Sequence, residues 1–271
     1  MLKRNPTKLL SVKDESIDTK TFEFEGRLNT SPGQFIMLTD YENGEKPFSF
    51  SSVKEDSFCL TIKKRGEFTS AHFQKAVGNV LYFSGPHGNK FILPEDKDTK
   101  ILIAGGGCGT APLLYLLESM LSQGYTDLTF INGARSKSDL LFSNHLSILN
   151  INCVDITDDG STGEAILLPQ AIGNELQKEK YDYLYCAGPE LAMKACYDII
   201  KSNNISAQFL LERYMKCGVG ICGQCTLDPS GIRLCVEGPV VDKSVLDTLT
   251  EFGNYTRDVY GKRVSFTNCG L

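Results

Sequence analysis

Hydrophobic and polar positions change their pattern once along this chain, near Pro94. Before it, short runs rich in β-branched and aromatic residues (21–24, 34–38, 48–53, 58–62 and 80–83) are broken by turn residues such as Ser31-Pro32-Gly33 and Asn43-Gly44. Strands at that spacing predict an antiparallel sandwich or barrel. After it, residues 101–104 form a continuous apolar run, as in a parallel strand buried on both faces, and a glycine turn leads to a helical stretch over 111–121. The alternation continues through 128–131, a helix-like 138–149, 151–156, 181–186, a helix-like 190–202 and 207–211. This order predicts a doubly wound parallel sheet. The expected fold class is therefore β followed by α/β, with domains at 1–95 and 96–211 and a small unit at 212–271.

The small unit carries the most specific chemistry. Cys217, Cys222, Cys225 and Cys235 fall in the order C-x4-C-x2-C-x9-C, the spacing with which a plant-type loop wraps a 2Fe-2S cluster. Gly218, Gly220 and Gly223 lie where the backbone must curl around inorganic sulfur and offer it N–H groups. A structural zinc site also takes four cysteines, but normally as two separated C-x2-C knuckles. A pair of disulfides would need a secreted setting.

Composition adds mainly exclusions. At 271 residues the chain holds about two domains, on roughly 100 to 200 residues each. A net charge of -5 with no basic stripe leaves nothing to neutralise phosphates, so no nucleic-acid partner is expected. Residues 1–10 carry charges and Pro6 where a signal peptide needs an apolar run, and no stretch approaches a membrane span. The expectation is a cytoplasmic protein. Cys59, Cys108, Cys153, Cys186, Cys196 and Cys269 are scattered, as free thiols in a reducing compartment are.

Gly105, Gly106, Gly107, Cys108, Gly109, Thr110, Ala111 and Pro112 join the first parallel strand to its helix. Such a turn can admit a pyrophosphate to the helix N-terminus, or can be a tight connection with no ligand. The G-x-G-x-x-P form, the β domain before it and Cys186-Ala187-Gly188-Pro189 later resemble the ferredoxin-NADP reductase superfamily. Its members join an antiparallel flavin-binding barrel to a nicotinamide domain. The resemblance implies that Lys46, Pro47, Phe48 and Ser49 occupy the R-P-x-S flavin motif, with Lys46 for arginine. That change keeps the charge but loses the planar fork. It further implies that Ile62, Lys63 and Lys64 lie along the flavin, and that Gly66, Phe68, Thr69 and Ser70 face its pyrophosphate. The turn Gly85-Pro86-His87-Gly88 would close the barrel, with His87 exposed. Gly105, Gly106, Gly107, Gly109, Thr110 and Pro112 would hold the dinucleotide, with Cys186 against the nicotinamide ring beside Gly188 and Pro189. Arg135 and Asp158 would approach the adenosine half, which leaves NAD versus NADP open.

With the cysteine loop added, nearly the whole chain resembles the electron-transfer subunits of class B dihydroorotate dehydrogenase. The approach Leu211-Glu212-Arg213-Tyr214-Met215 and the run Gly238-Pro239-Val240-Val241 agree with that branch. A sister branch, the small subunits of bifurcating NADH-dependent ferredoxin-NADP oxidoreductases, typically has aspartate where this chain has Cys217. The resemblance implies FAD, a 2Fe-2S cluster and NAD as cofactors, and an FMN-containing, dihydroorotate-oxidising partner in a hetero-oligomer. Electrons would pass from the partner through the cluster and FAD to NAD, with Glu212 near the flavin steering its protonation. A related reductase subunit serving ferredoxin, NADP or another acceptor would use the same cofactors.

Overall fold

The computed structural model describes residues 3–266; the expected free thiol Cys269 lies outside them. Six strands close a barrel: β1 (Asn5–Ser16), β2 (Thr19–Glu25), β3 (Phe35–Asp40), β4 (Gly44–Val53), β5 (Ser57–Lys63) and β6 (Val80–His87), in the order β1-β2-β5-β4-β3-β6. A short helix, α1 (Glu67–His72), joins β5 to β6. Strand β1 is absent from the sequence expectation because charged residues dilute its alternation and only Thr7 and Leu9 are buried. Phenylalanines fill the barrel: Phe50 meets Phe58 edge-on at 5.7 Å, and Phe58 meets Phe83 at 5.4 Å. Each such ring contributes about 1.5–3 kcal/mol on burial.

The second domain is a six-stranded sheet of order β12-β11-β10-β7-β8-β9, built from β7 (Ile101–Gly106), β8 (Leu128–Ala134), β9 (Asn152–Thr157), β10 (Tyr183–Ala187), β11 (Ser206–Leu210) and β12 (Val240–Asp242). Its first five strands are parallel, and the chain runs outward from β7 to β9 before returning to β10. This is the doubly wound arrangement read from the sequence. Helices α2 (Thr110–Ser122), α4 (Leu168–Lys178) and α5 (Glu190–Ile200) cover it. The helix expected over 138–149 is reduced to one turn, α3 (Ser143–Leu146). Phe142 sits at φ 60, and Leu140, Leu141 and Phe142 are buried in the core as a local plug rather than as a helical stripe.

Residues 240–242 come from the small C-terminal unit yet pair antiparallel with β11, Leu210 opposite Val240. One apolar cluster runs from this sheet into the cysteine loop, taking in Met215, Cys225, Leu227, Leu234 and Cys235, and reaches Phe35 and Met37 of the barrel. The hairpin β13 (Tyr255–Arg257) and β14 (Arg263–Ser265) completes the unit. Among the described residues no helix is long and apolar enough to cross a membrane.

Candidate redox site

The carboxyl ends of β7 and β10 face the barrel, and their two connecting turns interlock. A Cβ on Gly109 would meet the Ala187 carbonyl carbon and oxygen and the Gly188 nitrogen, all at 2.4 Å, so only glycine permits the approach. A Cβ on Gly107 would meet nothing within 4 Å, so this part of the turn opens outward, as a pyrophosphate cradle requires. The Thr110 hydroxyl is buried and donates to Asn132 Oδ1 at 3.2 Å, so it shapes the turn from behind. Pro112 is buried in the first turn of α2. Gly105 is packed against Thr110, while Gly106 lies beside Pro189.

Cys186, expected against a nicotinamide ring, is wholly buried instead. Strand alternation turns its side chain toward α5, where a hydrogen bond with Cys196 and burial push the thiol well up. It behaves as a small apolar residue, and Gly188 and Pro189 are the accessible members of that turn. Arg135 and Asp158 stand exposed at the ends of β8 and β9, and the Asp158 N–H is held by the Ala134 carbonyl at 3.0 Å. Burial raises the Asp158 carboxyl and the Arg135 charge opposes the rise.

On the barrel, Lys46, Pro47, Phe48 and Ser49 form the half-exposed part of β4. Lys46 Nζ bonds Tyr214 Oη at 3.2 Å and lies 4.6 Å from that ring's centre. Phe48 stacks on Phe68 at 6.0 Å. Ile62 fills the barrel core, so only its backbone can face a ligand; Lys63 pairs with Asp18 at 3.0 Å and Lys64 is exposed. The Thr69 hydroxyl accepts the N–H groups of Arg65 at 2.9 Å and Gly66 at 3.1 Å, and the Ser70 N–H reaches the Gly66 carbonyl at 2.8 Å. These bonds fix a loop whose Gly66 opens to free space. Open glycines on both facing turns, beside a lysine and an aromatic pair, fit a dinucleotide spanning the two domains.

Glu212 lies among Arg65 of the barrel loop, Cys108 of the glycine turn and Glu190 at the start of α5. It keeps solvent access although protein packs densely around it, and desolvation pushes its carboxyl up, with Arg65 opposing and Glu190 reinforcing. Cys108 shares these surroundings: burial raises its thiol to about 11, and the Glu212, Lys63, Arg65 and Asp18 charges all act on it. From the sequence Cys108 is only one of the scattered free thiols, because nothing in the linear order brings it to Glu212.

The four cluster cysteines come together as two pairs, Cys217 with Cys222 and Cys225 with Cys235. Among the described residues, no three His, Cys, Asp or Glu side chains converge as a single metal ion requires. A binuclear cluster takes two thiolates on each iron, so the two-pair geometry fits 2Fe-2S better than one tetrahedral zinc. Burial alone would raise the Cys217 thiol, but hydrogen bonds from the backbone at Cys222, Val219 and Ile221 bring it down to about 6. The Gly220 N–H donates to Cys235 Sγ at 3.1 Å. Gly220 has φ +76, and a Cβ there would strike Val236 at 2.7 Å.

The loop touches both domains. A Cβ on Gly218 would meet Met37 at 2.7 Å and His87 at 3.4 Å. His87, expected to be exposed, is half-buried between Ser84, whose hydroxyl it meets at 3.0 Å, and Phe35 at 5.7 Å. Asn89 binds the Val240 N–H at 2.9 Å and the Glu237 carbonyl at 2.9 Å. Cys225 and Cys235 face inward, whereas Cys222 is exposed beside Ile221, itself 84% accessible, and a cavity of about 420 Å³ lined by Gln224, Asp228 and Arg257.

A six-stranded barrel, an α/β sheet with interlocked glycine turns and a paired-cysteine loop wedged between them define an iron-sulfur reductase of the ferredoxin-reductase type. The fold matches the NADH-dependent reduced ferredoxin-NADP oxidoreductase structure, solved for flavin-based electron bifurcation, with TM-score 0.80 over 91% of this chain and 90% of that one at 23% identity. It also matches a ferredoxin NADP+ reductase from Neisseria gonorrhoeae with bound FAD and NADP, at TM-score 0.63 over 74% and 92% with 20% identity. A family model described as the iron-sulfur cluster binding domain of dihydroorotate dehydrogenase B matches residues 212–247. The probable dihydroorotate dehydrogenase B (NAD(+)) electron transfer subunit of Methanocaldococcus jannaschii is 37% identical over 96% of this chain and 97% of its own length. The protein of the same description from Methanothermobacter thermautotrophicus is 37% identical over 93% of each. This chain belongs to the family of dihydroorotate dehydrogenase B electron transfer subunits.

Proposed function

We propose that this chain accepts single electrons from a dihydroorotate-oxidising, FMN-containing partner and delivers them in pairs to NAD, as the electron-transfer subunit of a cytoplasmic hetero-oligomer in pyrimidine biosynthesis. The observation that carries the reading is the position of the cysteine loop, which packs on the barrel through Gly218 and on the nicotinamide sheet through β12, with Cys222 turned outward. When bound, FAD supplies the exchange between one-electron and hydride chemistry that a 2Fe-2S centre and NAD need.

The chain's own residues bind, orient and tune. The Cys217 thiol, held down by backbone N–H groups, is ready to ligate as thiolate near neutral pH. Lys46, fixed by Tyr214, presents a cation to the flavin, and the Thr69-braced loop and the open turns at Gly66 and Gly107 admit phosphates. Glu212, with its raised carboxyl, holds or releases a proton between the two facing turns. Arg135 and Asp158, exposed at the ends of β8 and β9, would meet the adenosine half of NAD.

Co-expression with a dihydroorotate-oxidising subunit tests the proposal. The expected product is a complex containing FMN, FAD and a 2Fe-2S cluster that reduces NAD+ with dihydroorotate. Stable assembly with a different dehydrogenase, or a purified chain without flavin, would overturn it.

A further inference from the structure

The Arg213 guanidinium is buried and donates four hydrogen bonds. Its Nε donates to Glu251 at 2.6 Å, its Nη2 to Glu190 at 3.1 Å, and its Nη1 to Glu190 and, at 2.7 Å, to the Glu212 carbonyl. The partners come from three places. Glu190 opens α5 directly after the Gly188-Pro189 turn. Glu212 lies between the two facing turns. Glu251 lies in the C-terminal unit, where its second oxygen accepts the Asp228 N–H at 2.9 Å. Asp228 sits in the hairpin between Cys225 and Cys235, which is closed by the Thr226 and Arg233 bridge. Glu190 also accepts the Gly253 N–H at 3.0 Å.

One planar fork thus spans the nicotinamide turn, the flavin-facing segment and the hairpin that carries two cluster ligands. Side-chain exposures of 2%, 8% and 1% for Arg213, Glu190 and Glu251 remove solvent as a substitute partner. An unpaired charge left there is costly, so the three carriers must move together or not at all. Arg can bridge two carboxylates at fixed angles; a lysine ammonium cannot.

We propose that Arg213 is a positioning residue that couples occupancy of the nicotinamide turn to the geometry of the cluster hairpin. The inference rests on the proposed function for the ligands at each end, and the bonded network between them is what both ends bias. By reciprocity, NAD+ binding perturbs the cluster's surroundings, and the state of the hairpin alters NAD+ affinity by the same factor.

The test uses the purified holoprotein. R213K keeps the charge without the fork; E251Q keeps an oxygen for the Asp228 N–H while weakening the link to Arg213. Iron and flavin contents are measured first. NAD+ affinity then follows from calorimetry on the oxidised protein, and the electron paramagnetic resonance spectrum of the dithionite-reduced cluster is recorded with and without saturating NADH, which occupies the same turn and cannot re-oxidise the cluster. In the wild type, NADH shifts the cluster spectrum. In R213K, with cofactor contents retained, the shift is lost and NAD+ affinity falls about tenfold; E251Q gives the same loss of shift and decides the matter should R213K lose its cofactors. Variants with full cofactor content, unchanged affinity and an unchanged spectral response would show that Arg213 merely stabilises the fold. Wild-type protein whose reduced cluster ignores NADH overturns the inference alone; wild-type protein that takes up no cluster or flavin overturns the proposed function and the inference with it.

Discussion

The interlocked turns give the sharpest quantitative expectation, through Gly109→Ala. Gly109 has φ -63, a helical conformation that alanine prefers, so backbone entropy alone would stabilise the variant by about 0.4–1 kcal/mol. Sterics oppose this. The new methyl would stand 2.4 Å from three backbone atoms of Ala187 and Gly188, where ordinary contact begins at 3.4 Å, so the two turns must separate by roughly 1 Å. None of the three atoms belongs to a flexible side chain. Overpacking of this kind costs about 1–3 kcal/mol, so the net effect is destabilising. The functional effect is larger, because about 1 Å of misplacement in a hydride-transfer geometry can cost about 10²-fold in rate. The assay is NADH oxidation by an artificial dye, expressed per bound flavin, beside urea unfolding of the same preparations. Gly124→Ala, just past the end of α2 and away from the turns, is the control: it meets no atom, but its φ of +89 imposes a local strain of about 1 kcal/mol without moving Ala187. Gly109→Ala protein with wild-type kcat, KM and unfolding midpoint would refute the claim that these turns set the nicotinamide position.

Cys222→Ser, at the exposed member of its pair, should remove the 2Fe-2S absorbance and abolish partner-driven NAD+ reduction while leaving NADH-to-dye activity near the wild-type rate; equal loss of both activities would contradict the relay order. Lys46→Ala should weaken flavin retention about tenfold or more, as loss of a hydrogen bond to a charged group costs about 1.5–3 kcal/mol, and flavin released on dialysis measures it. Glu212 has a raised carboxyl in the fold, so its contribution to stability is present below the ordinary glutamate range and fades as pH rises through the folded value. Glu212→Gln should therefore flatten the stability profile on the acid side of neutrality and stabilise the apoprotein relative to wild type at pH 7; denaturant titrations at several pH values show whether the two curves instead remain parallel.

Much of the fold was legible because its cores are written in local patterns. The central parallel strands β7 and β10 are near-continuous apolar runs buried almost throughout, and the cluster ligands follow a fixed spacing. What escaped notice depends on tertiary neighbours. Strand β1 closes the barrel with few buried side chains, and Leu140-Leu141-Phe142 carries helix-like hydrophobicity in a plug ended by a left-handed Phe142. In the site, the motifs fall on turns that meet, Gly109 against Gly188, but the linear order does not say which way each side chain points. Cys186 precedes one of those turns yet faces Cys196. Cys108 and Tyr214 stand inside quoted runs without a role of their own and acquire partners only when barrel and sheet meet.

The antiparallel strand β12 also bears on what the C-terminal unit is. It follows the last cluster ligand and lies against Gln208, Phe209 and Leu210 of β11, so cutting the chain after residue 211 would strip one side of a central hydrophobic strand. The backbone N–H and C=O groups uncovered there would form an open sheet margin beside the buried Phe209, a template for aggregation. The iron-sulfur unit is therefore not a detachable cartridge on a finished reductase: it is the strip that seals the reductase sheet, and a lineage losing the cluster would have to keep the strand.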